Sequence, residues 1–499
     1  MRLFALVLLM CAVVGEARAQ KVTVGSKAFP ESWILGDMLA QQARGAGAAP
    51  VEHRSNLGGT EIVWQALRSG AIDAYPEYTG TITEVILKHP GRPPLDSLRA
   101  GLAPLDIAIG PPLGFNDGYG IAVTRAAATH FSLRTVGDLA AHPDIRFGMT
   151  HEFLGRADGW PGLAKAYGLA PKDVRGIQHE LAWDALAKGS IDATDVYTTD
   201  PQIAALDLVV LEDERAFFPR YDAVVLYRAD LAQRAPRVVA AWEMLGGRID
   251  ERRMIAANRA VALEKRPFAQ AADSLLRMIA LTSSAPFPRQ GNGPWATIAR
   301  RTAEHLKLVA VALLLSILLG VPLGIVATRS RLLAKLALGA AGLVQTIPSL
   351  ALLAFLIPLV GIGTGPALIA LFVYGLLPIV RNTYVGLTTL PRPLVEAAEA
   401  MGLSPRARLL KVALPLASQS ILAGIQTSAV ITVGTATIAA LIGAGGLGEP
   451  ILSGIQLRDP ALIAQGAVPA ALLALLVSWA FDGLERWVVP RGLRLPASD

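Results

Sequence analysis

PLVEAAEAMGLSPRARLLKVALP, residues 393–415, lies between two long apolar segments yet carries Glu396, Glu399, Arg406, Arg408 and Lys411. EAAEAMG is a strong helix former up to Gly402, a residue suited to close a helix. LeuSerPro then opens a second helix, with Pro405 in its first turn. The stretch therefore predicts a short helix–turn–helix, and the segments around it decide what it projects from.

Beyond residue 300 those segments reach bilayer length, since a span needs about 20 mainly apolar residues. Five spans are predicted, at 306–327, 337–361, 366–388, 416–442 and 461–481. Pro322, Pro348, Pro358 and Pro378 fall inside them, as membrane helices tolerate when neighbours satisfy the freed backbone groups. Placing the chain before span 1 outside puts eleven Lys and Arg on inside loops, against Arg458 alone on the outside loops between spans. That asymmetry predicts an inner-membrane protein with a cytoplasmic loop at 389–415. All of the net charge of +6 lies in this half, with 14 Lys+Arg against 8 Asp+Glu from residue 301 onward.

The first half has different physics. Short apolar strands such as KVTVG (21–25) and YGIAVT (119–124) alternate with helical stretches such as ESWILGDMLAQQA (31–43). Alternation of this kind implies βαβ units. A Pro/Gly-rich run, SAPFPRQGNGPWA (284–296), reads as a linker. At the start, Arg2, an apolar run from Leu3 to Val14 and AlaArgAla at 17–19 form a signal-peptide pattern, with cleavage expected after Ala19. Export would place the first half on the extracytoplasmic, periplasmic side. Cys11 is the single cysteine, so no intramolecular disulfide is possible. The domains read as signal peptide 1–19, soluble domain 20–285, linker 286–302 and membrane domain 303–490.

Catalytic signatures are missing. The sequence has no HExxH and no GxSxG, and no cysteine outside the signal peptide, so an enzyme is not expected. No dense basic patch interleaves with aromatics, which excludes nucleic acid as a partner. Gly443, Gly445 and Gly448 match G-x-G-x-x-G, but an apolar span precedes them, so they read as a tight outside turn rather than a dinucleotide site.

The loop pattern is more specific than a basic loop. Glu396, Ala397, Ala398, then Gly402, then Val412-x-Leu414-Pro415 resembles the "EAA" coupling motif of ABC importer permeases. Flanking stretches QTIPSLALLAFLIPLVGIG (345–363), LLPIVRNTY (376–384) and IGAGGLGEPI (442–451) resemble the same family. The resemblance implies docking of this loop on an ATPase. No G-x-x-x-x-G-K-[ST] phosphate loop occurs in the chain, so the ATPase would be a separate subunit and ATP no cofactor of this polypeptide. Five spans are half a pathway, which implies a homodimer of the membrane half.

The first half resembles the substrate-binding proteins of quaternary-amine (osmoprotectant) transporters for glycine betaine, carnitine or choline. The matching stretches are VGSKAFPES (24–32), NLGGTEIVWQALRSGAIDAYPEYTG (56–80), GFNDGYGIAV (114–123), EFLGRADGW (152–160), TDVYTTD (194–200) and FFPRYDAVVL (217–226). The implied fold is a two-lobed, type II α/β binding domain, with lobe 1 at 21–122 and 226–285 and lobe 2 at 123–225, ahead of an all-α polytopic membrane domain. A trimethylammonium group has a diffuse charge and no donor, so aromatic faces hold it best. Tyr78, Tyr119, Tyr197 and Tyr221 sit in turn-rich segments and are the expected cage, with Tyr75 and Trp33 in reserve. For a carboxylate end, Asn56, Gly59 and Thr60 lie where a helix N-terminus could bind an anion. Ser26, Lys27, Thr79 and Asn116 are further polar candidates. Glu31, Asp117, Glu152, Asp195 and Asp200 are expected as caps or hinge bonds; any of them in the pocket would favour choline over a zwitterion. Arg156 is expected in a hinge or interlobe ion pair rather than in contact with the ligand. Two alternatives stay open: another betaine such as ergothioneine, or a membrane-tethered solute receptor. The coupling pattern favours the importer.

Overall fold

The computed structural model describes residues 21–89, 91–281 and 294–489. The expected signal peptide and the first part of the expected linker lie outside the described residues. The chain divides into two units near residue 288, each described by itself below.

The first unit holds two five-stranded mixed sheets. The first joins β1 (Val22–Gly25), β2 (Val51–Arg54), β3 (Ala74–Tyr78), β4 (Ile107–Ile109) and β10 (Ala223–Arg228) in the order β2-β1-β3-β10-β4. The second joins β5 (Tyr119–Thr124), β6 (Arg146–Thr150), β7 (Asp173–Ile177), β8 (Ala193–Tyr197) and β9 (Leu208–Val210) in the order β7-β6-β8-β5-β9. In each sheet the strands before the crossing are parallel, as β1 is to β2 and β3, and β6 to β7 and β8. In each, one strand arrives from the other lobe and pairs antiparallel with two neighbours: β10 between β3 and β4, β5 between β8 and β9. Strands flanked by helices on both faces read as continuous apolar runs, and VTVG of β1 is buried throughout.

These pairings correct the expected lobe boundaries. Residues 119–122, expected in lobe 1, form β5 of the second sheet, and residues 223–225, expected in lobe 2, begin β10 of the first. The crossings are therefore 110–118 and 211–222. YGIAVT and AVVLYR were legible as buried strands, but an apolar run does not state which sheet it joins.

Each lobe has its own core. In the second, Trp183, Leu186, Ile191, Val196 and Leu208 pack with Ala122 and Ala182. In the first, the helix Pro30–Gly45 buries thirteen of its sixteen residues, with Pro30 at its first position, where no N–H is needed. Trp33 and Tyr75 belong to this core: Trp33 Nε1 donates to the Lys27 carbonyl at 2.6 Å, and Tyr75 is fully buried.

The second unit is helical. Among the described residues four helices are long and apolar enough to cross a membrane: Trp295–Ala327, Thr364–Thr388, Pro405–Thr435 and Pro460–Trp487. A fifth span exists only if the pair Arg331–Thr346 and Ser349–Ile357, bent by 92°, counts as one. The expected continuous span at 337–361 is thus broken at Pro348. Proline lacks the donor for the helix ladder and drives the preceding residue extended; Ile347 has φ −73°, ψ 125°. Tyr374 Oη donates to the Ile347 carbonyl at the break, and Gln345 Nε2 donates at 3.0 Å to the Tyr374 carbonyl, which Pro378 leaves without its helical donor. Residues 294–302, expected as linker, already belong to the first helix, and the expected fourth span ends at Thr435, before a short 3₁₀ turn at Ile438–Ile442.

The loop at 389–415 contains the helix Arg392–Ala400, a turn with Gly402 at φ +74°, and a second helix whose N-cap Ser404 accepts from Ala407 N. That second helix continues into the membrane span rather than ending in the loop. The glycine turn at 443–448 holds Gly443, Gly445 and Gly446 at positive φ and follows a helical turn, not a strand.

Small residues set the helix spacing. A Cβ on Gly424 would lie 2.6 Å from Asn382 Cβ and 2.8 Å from the Pro378 carbonyl, and one on Gly324 would lie 3.0 Å from the Val380 carbonyl. Such contacts let backbones approach closely in membranes. We expect Gly424→Val to cost about 1–3 kcal/mol by overpacking, read as a lower thermal midpoint of the detergent-purified chain; an unchanged midpoint would mean that the two helices part without penalty.

Candidate ligand site between the two lobes

The edges of the two sheets that face each other carry the tyrosines. Tyr78 ends β3, Tyr119 begins β5 and Tyr197 ends β8, where Tyr119 and Tyr197 are direct cross-strand partners. Tyr221 lies on the second crossing, one residue before Asp222, whose carbonyl accepts from Thr79 N at 3.0 Å. A glycine is required beside it: a Cβ on Gly80 would stand 2.6 Å from the Tyr221 ring.

With Phe29, which sequence reasoning did not single out, the four form an arc of rings. Successive centroids from Tyr78 to Phe29, Tyr197, Tyr119 and Tyr221 are 6.3, 5.6, 5.3 and 5.4 Å apart. Carboxylates pin the two ends. Tyr78 Oη donates to Glu31 Oε1 at 2.7 Å, and Tyr221 Oη to Asp158 Oδ2 at 2.6 Å. Burial and the neighbouring carboxylates raise both phenols, so the rings stay neutral.

A cation stands at each end of the arc. Lys27 Nζ lies 5.5 Å from the Tyr78 centroid and is bonded to Glu77 Oε1 at 2.5 Å. The Arg156 guanidinium lies 5.6 Å from Tyr119 and 5.9 Å from Tyr221, and forms a two-bond ion pair with Asp158. Burial works against its charge, but the Asp158 and Glu152 carboxylates outweigh that and keep it protonated. These rings and cations, with Thr81, Asp117 and Glu152, line one cavity of about 300 Å³ including its mouth. Thr81 was not anticipated, and Arg156, expected in a hinge or interlobe ion pair, pairs instead with Asp158 and Glu152 of its own lobe, reaches the first lobe only through Thr81, and faces the cavity. The signal for Phe29 was its place between Lys27 and the helix-opening Pro30.

Other expected ligand residues lie elsewhere. Ser26 is fully buried; its Oγ bonds to His53 Nε2 at 2.9 Å, and His53 Nδ1 to Asp37 at 3.0 Å. The order is that of a hydrolytic triad, but no substrate reaches a hydroxyl with no exposed surface. Thr79 Oγ1 donates to the Arg220 carbonyl and Asn116 Oδ1 accepts from Tyr221 N, so both tie the crossings together. Asn56 is buried at φ +61° and is not among the cavity-lining residues. Gly59 caps the helix Thr60–Arg68, whose N-terminus is met by the protein's own Glu152, accepting from Thr60 Oγ1 at 3.1 Å. Of the other acids, Asp195 accepts from Thr150 and Asp200 pairs with His179.

The lobes are closed on each other. Thr60 and Glu152, Arg156 and Thr81 (3.3 Å), Thr199 and Glu31 (2.5 Å), and Asn258 and the Thr199 carbonyl (3.2 Å) all bridge them. A second pocket, sharing Phe29, Asp117 and Tyr197 with the first, is lined also by His179, Asp200 and Asn258. Burial alone would lower the His179 imidazole, but Asp200 at 3.1 Å raises it from 6.5 to about 9. Because its folded value is raised, the pair contributes fully below pH 6.5 and is lost as pH rises through about 9. Histidine-ring NMR should show a titration midpoint near 9, falling in Asp200→Asn; an unmoved midpoint would refute the pairing.

Comparison with known proteins agrees with this layout. Residues 20–277 match the substrate-binding domain of ABC-type glycine betaine transport systems, and residues 320–493 match the binding-protein-dependent transport system inner membrane component. The choline transport system permease protein OpuBB of Bacillus subtilis is 43% identical over 194 residues, 39% of this chain and 89% of its own length. The osmoprotectant import permease protein OsmW of Salmonella typhimurium is 45% identical over 202 residues, 40% of this chain and 94% of its own. The ergothioneine transport permease/ergothioneine binding protein EgtU of Helicobacter pylori is 38% identical over 273 residues, 52% of this chain and 47% of its own. These relatives are transport proteins and not enzymes. The chain belongs to the glycine betaine-type ABC import family, as a substrate-binding domain and an inner-membrane permease domain joined in one polypeptide.

Proposed function

We propose that the binding domain captures a betaine-type quaternary-ammonium zwitterion outside the cell, and that the permease half passes it inward under the drive of a separate ATPase. The observation that carries this reading is the arc of five rings with Lys27, Thr81 and Arg156 on the same cavity wall. Ring faces attract a trimethylammonium group, each contributing about 0.5–2 kcal/mol. A carboxylate gains from Arg156, Lys27 and the Thr81 hydroxyl, as charge-assisted bonds do. Asp117 and Glu152 on the same wall would favour a pure cation, but such a solute gains nothing from Lys27, Arg156 or the Thr81 hydroxyl. Glycine betaine and carnitine engage both the rings and the cations of this wall, whereas choline engages the rings and the two carboxylates. A bulkier betaine, ergothioneine, is supported by the adjoining second pocket and by the likeness to a protein named for ergothioneine.

The loop 389–415 is the proposed ATPase contact. Glu396 and Ala397 are exposed, Ala398 is buried against the loop, and an ion pair from Arg408 to Glu399 braces the turn around Gly402. Leu414 and Pro415 begin the span that would carry the movement into the membrane. The lysines and arginines on this side argue for a cytoplasmic position, hence a periplasmic binding domain, and the permease half is proposed to act as a homodimer.

Titration calorimetry on the purified chain tests the ligand reading. Tyr119→Ala should weaken glycine betaine and choline alike, by about 2- to 30-fold. Arg156→Ala should weaken glycine betaine by about 10-fold or more and choline far less. Equal losses for the two solutes in Arg156→Ala would remove the carboxylate subsite. For coupling, Ala397→Trp should leave solute binding intact and abolish ATP-driven uptake in vesicles; normal uptake would place the ATPase contact elsewhere.

A further inference from the structure

The Thr199 hydroxyl lies 2.5 Å from Glu31 Oε2 and 2.7 Å from Asp117 Oδ1. A hydroxyl carries one hydrogen and can donate to one carboxylate only. The second contact is a hydrogen bond only if that carboxyl is itself protonated and donates to the hydroxyl oxygen. Glu31 already accepts from Tyr78 Oη at 2.7 Å and from Asn258 Nδ2 at 2.8 Å. Asp117 Oδ1 otherwise meets only the distant Thr199 N–H, at 3.4 Å. The better-donated carboxylate is the ionised one, so the chain runs from protonated Asp117 to Thr199 to Glu31.

We propose that one proton is held between Asp117 and Glu31 through Thr199 when the lobes are closed, so that closure on solute takes up a proton and opening releases it. The three groups come from three places. Glu31 opens the helix Pro30–Gly45 of the first lobe, Asp117 lies on the first crossing, and Thr199 follows β8 of the second lobe. They are 3%, 5% and 2% exposed. Opening withdraws Thr199 and admits water, and both carboxyls then ionise at neutral pH as ordinary carboxylates do. The balance is one proton from solvent into the closed cleft, returned on opening.

The surroundings supply no substitute cation. Among the described residues, no Lys, Arg or His forms a salt bridge with Glu31 or Asp117: Lys27 pairs with Glu77, Arg156 with Asp158 and Glu152, and His179 with Asp200. His179 and Asp200 share one lobe, so that pair survives opening and adds no proton to the count. Burial raises both carboxyls, and the charges of Glu31 on Asp117, and of Asp200 on both, act in the same direction. A carboxyl raised in the closed state favours closure at low pH and ceases to as pH rises through the closed-state value.

The test uses solute binding and so rests on the ligand reading above. Full-length chain in detergent is titrated at pH 7 with glycine betaine, carnitine, choline and ergothioneine, in phosphate and in Tris, whose ionisation heats differ. For any solute that binds, the heats should differ by about one proton's worth of buffer ionisation, and Kd should rise with pH by up to tenfold per unit. In Asp117→Asn and in Glu31→Gln, whose amides donate to Thr199 without taking a proton, the heats should no longer depend on buffer. Equal heats in the two buffers for the wild-type chain overturn this proposal alone, whether or not the variants fold. No heat with any solute overturns the ligand reading and this proposal with it.

Discussion

A carboxylate removed from water between two moving bodies must be met by donors on every side, or the closed state does not form. Glu31 is that group here. Its donors come from β3 through Tyr78, from the helix Glu251–Ala262 through Asn258, and from the second lobe through Thr199. One side chain therefore fixes a ring of the arc, a helix of the first lobe and the position of the second. The exposed ion pairs differ in kind: Lys172 with Asp144, for example, sits in water at both ends and contributes about 0–1 kcal/mol.

The arc of rings depends on the same economy of placement. Tyr119 and Tyr197 face the same way because the β5–β8 register sets them opposite each other, and Tyr221 reaches them only because Gly80 leaves its ring room. At the two ends of the arc the hydroxyls of Tyr78 and Tyr221 are pinned by Glu31 and Asp158. Lys27 and Arg156 are held by buried carboxylates of the protein, so charge is ready at the wall without being loose. Preorganised polar groups of this kind lower the ordering cost that a ligand must meet.

In the membrane half, proline has two outcomes. Pro322, Pro378 and Pro469 lie within helices, whereas Pro348 breaks one. At the break the Tyr374 hydroxyl meets the Ile347 carbonyl, and the Gln345 side chain meets the Tyr374 carbonyl that Pro378 leaves without its ladder donor. Between the helices, Gly320, Gly375, Gly386 and Gly424 leave room only for hydrogen where they cross. Packing by small residues, not expulsion of water, sets these contacts.

Residue chemistry alone was enough to separate an α/β half from a membrane half, because hydropathy over twenty residues and alternation over five are local sums. The loop at 393–415 was legible for the same reason: Gly402, Ser404 and Pro405 act on their own backbone. The four tyrosines were legible as types suited to a cationic head, through the turns around them. What the sequence left open was everything set by partners far along the chain. Whether YGIAVT and AVVLYR exchange lobes depends on sheet pairing, and a buried apolar run looks the same in either sheet. Ser26 and Thr79 carry the right groups for a ligand, yet spend them on His53 and on the Arg220 carbonyl. Phe29, Thr81 and Arg156 became cavity residues only when two lobes closed around them, because a cleft is a property of the space between surfaces and no local stretch encodes it.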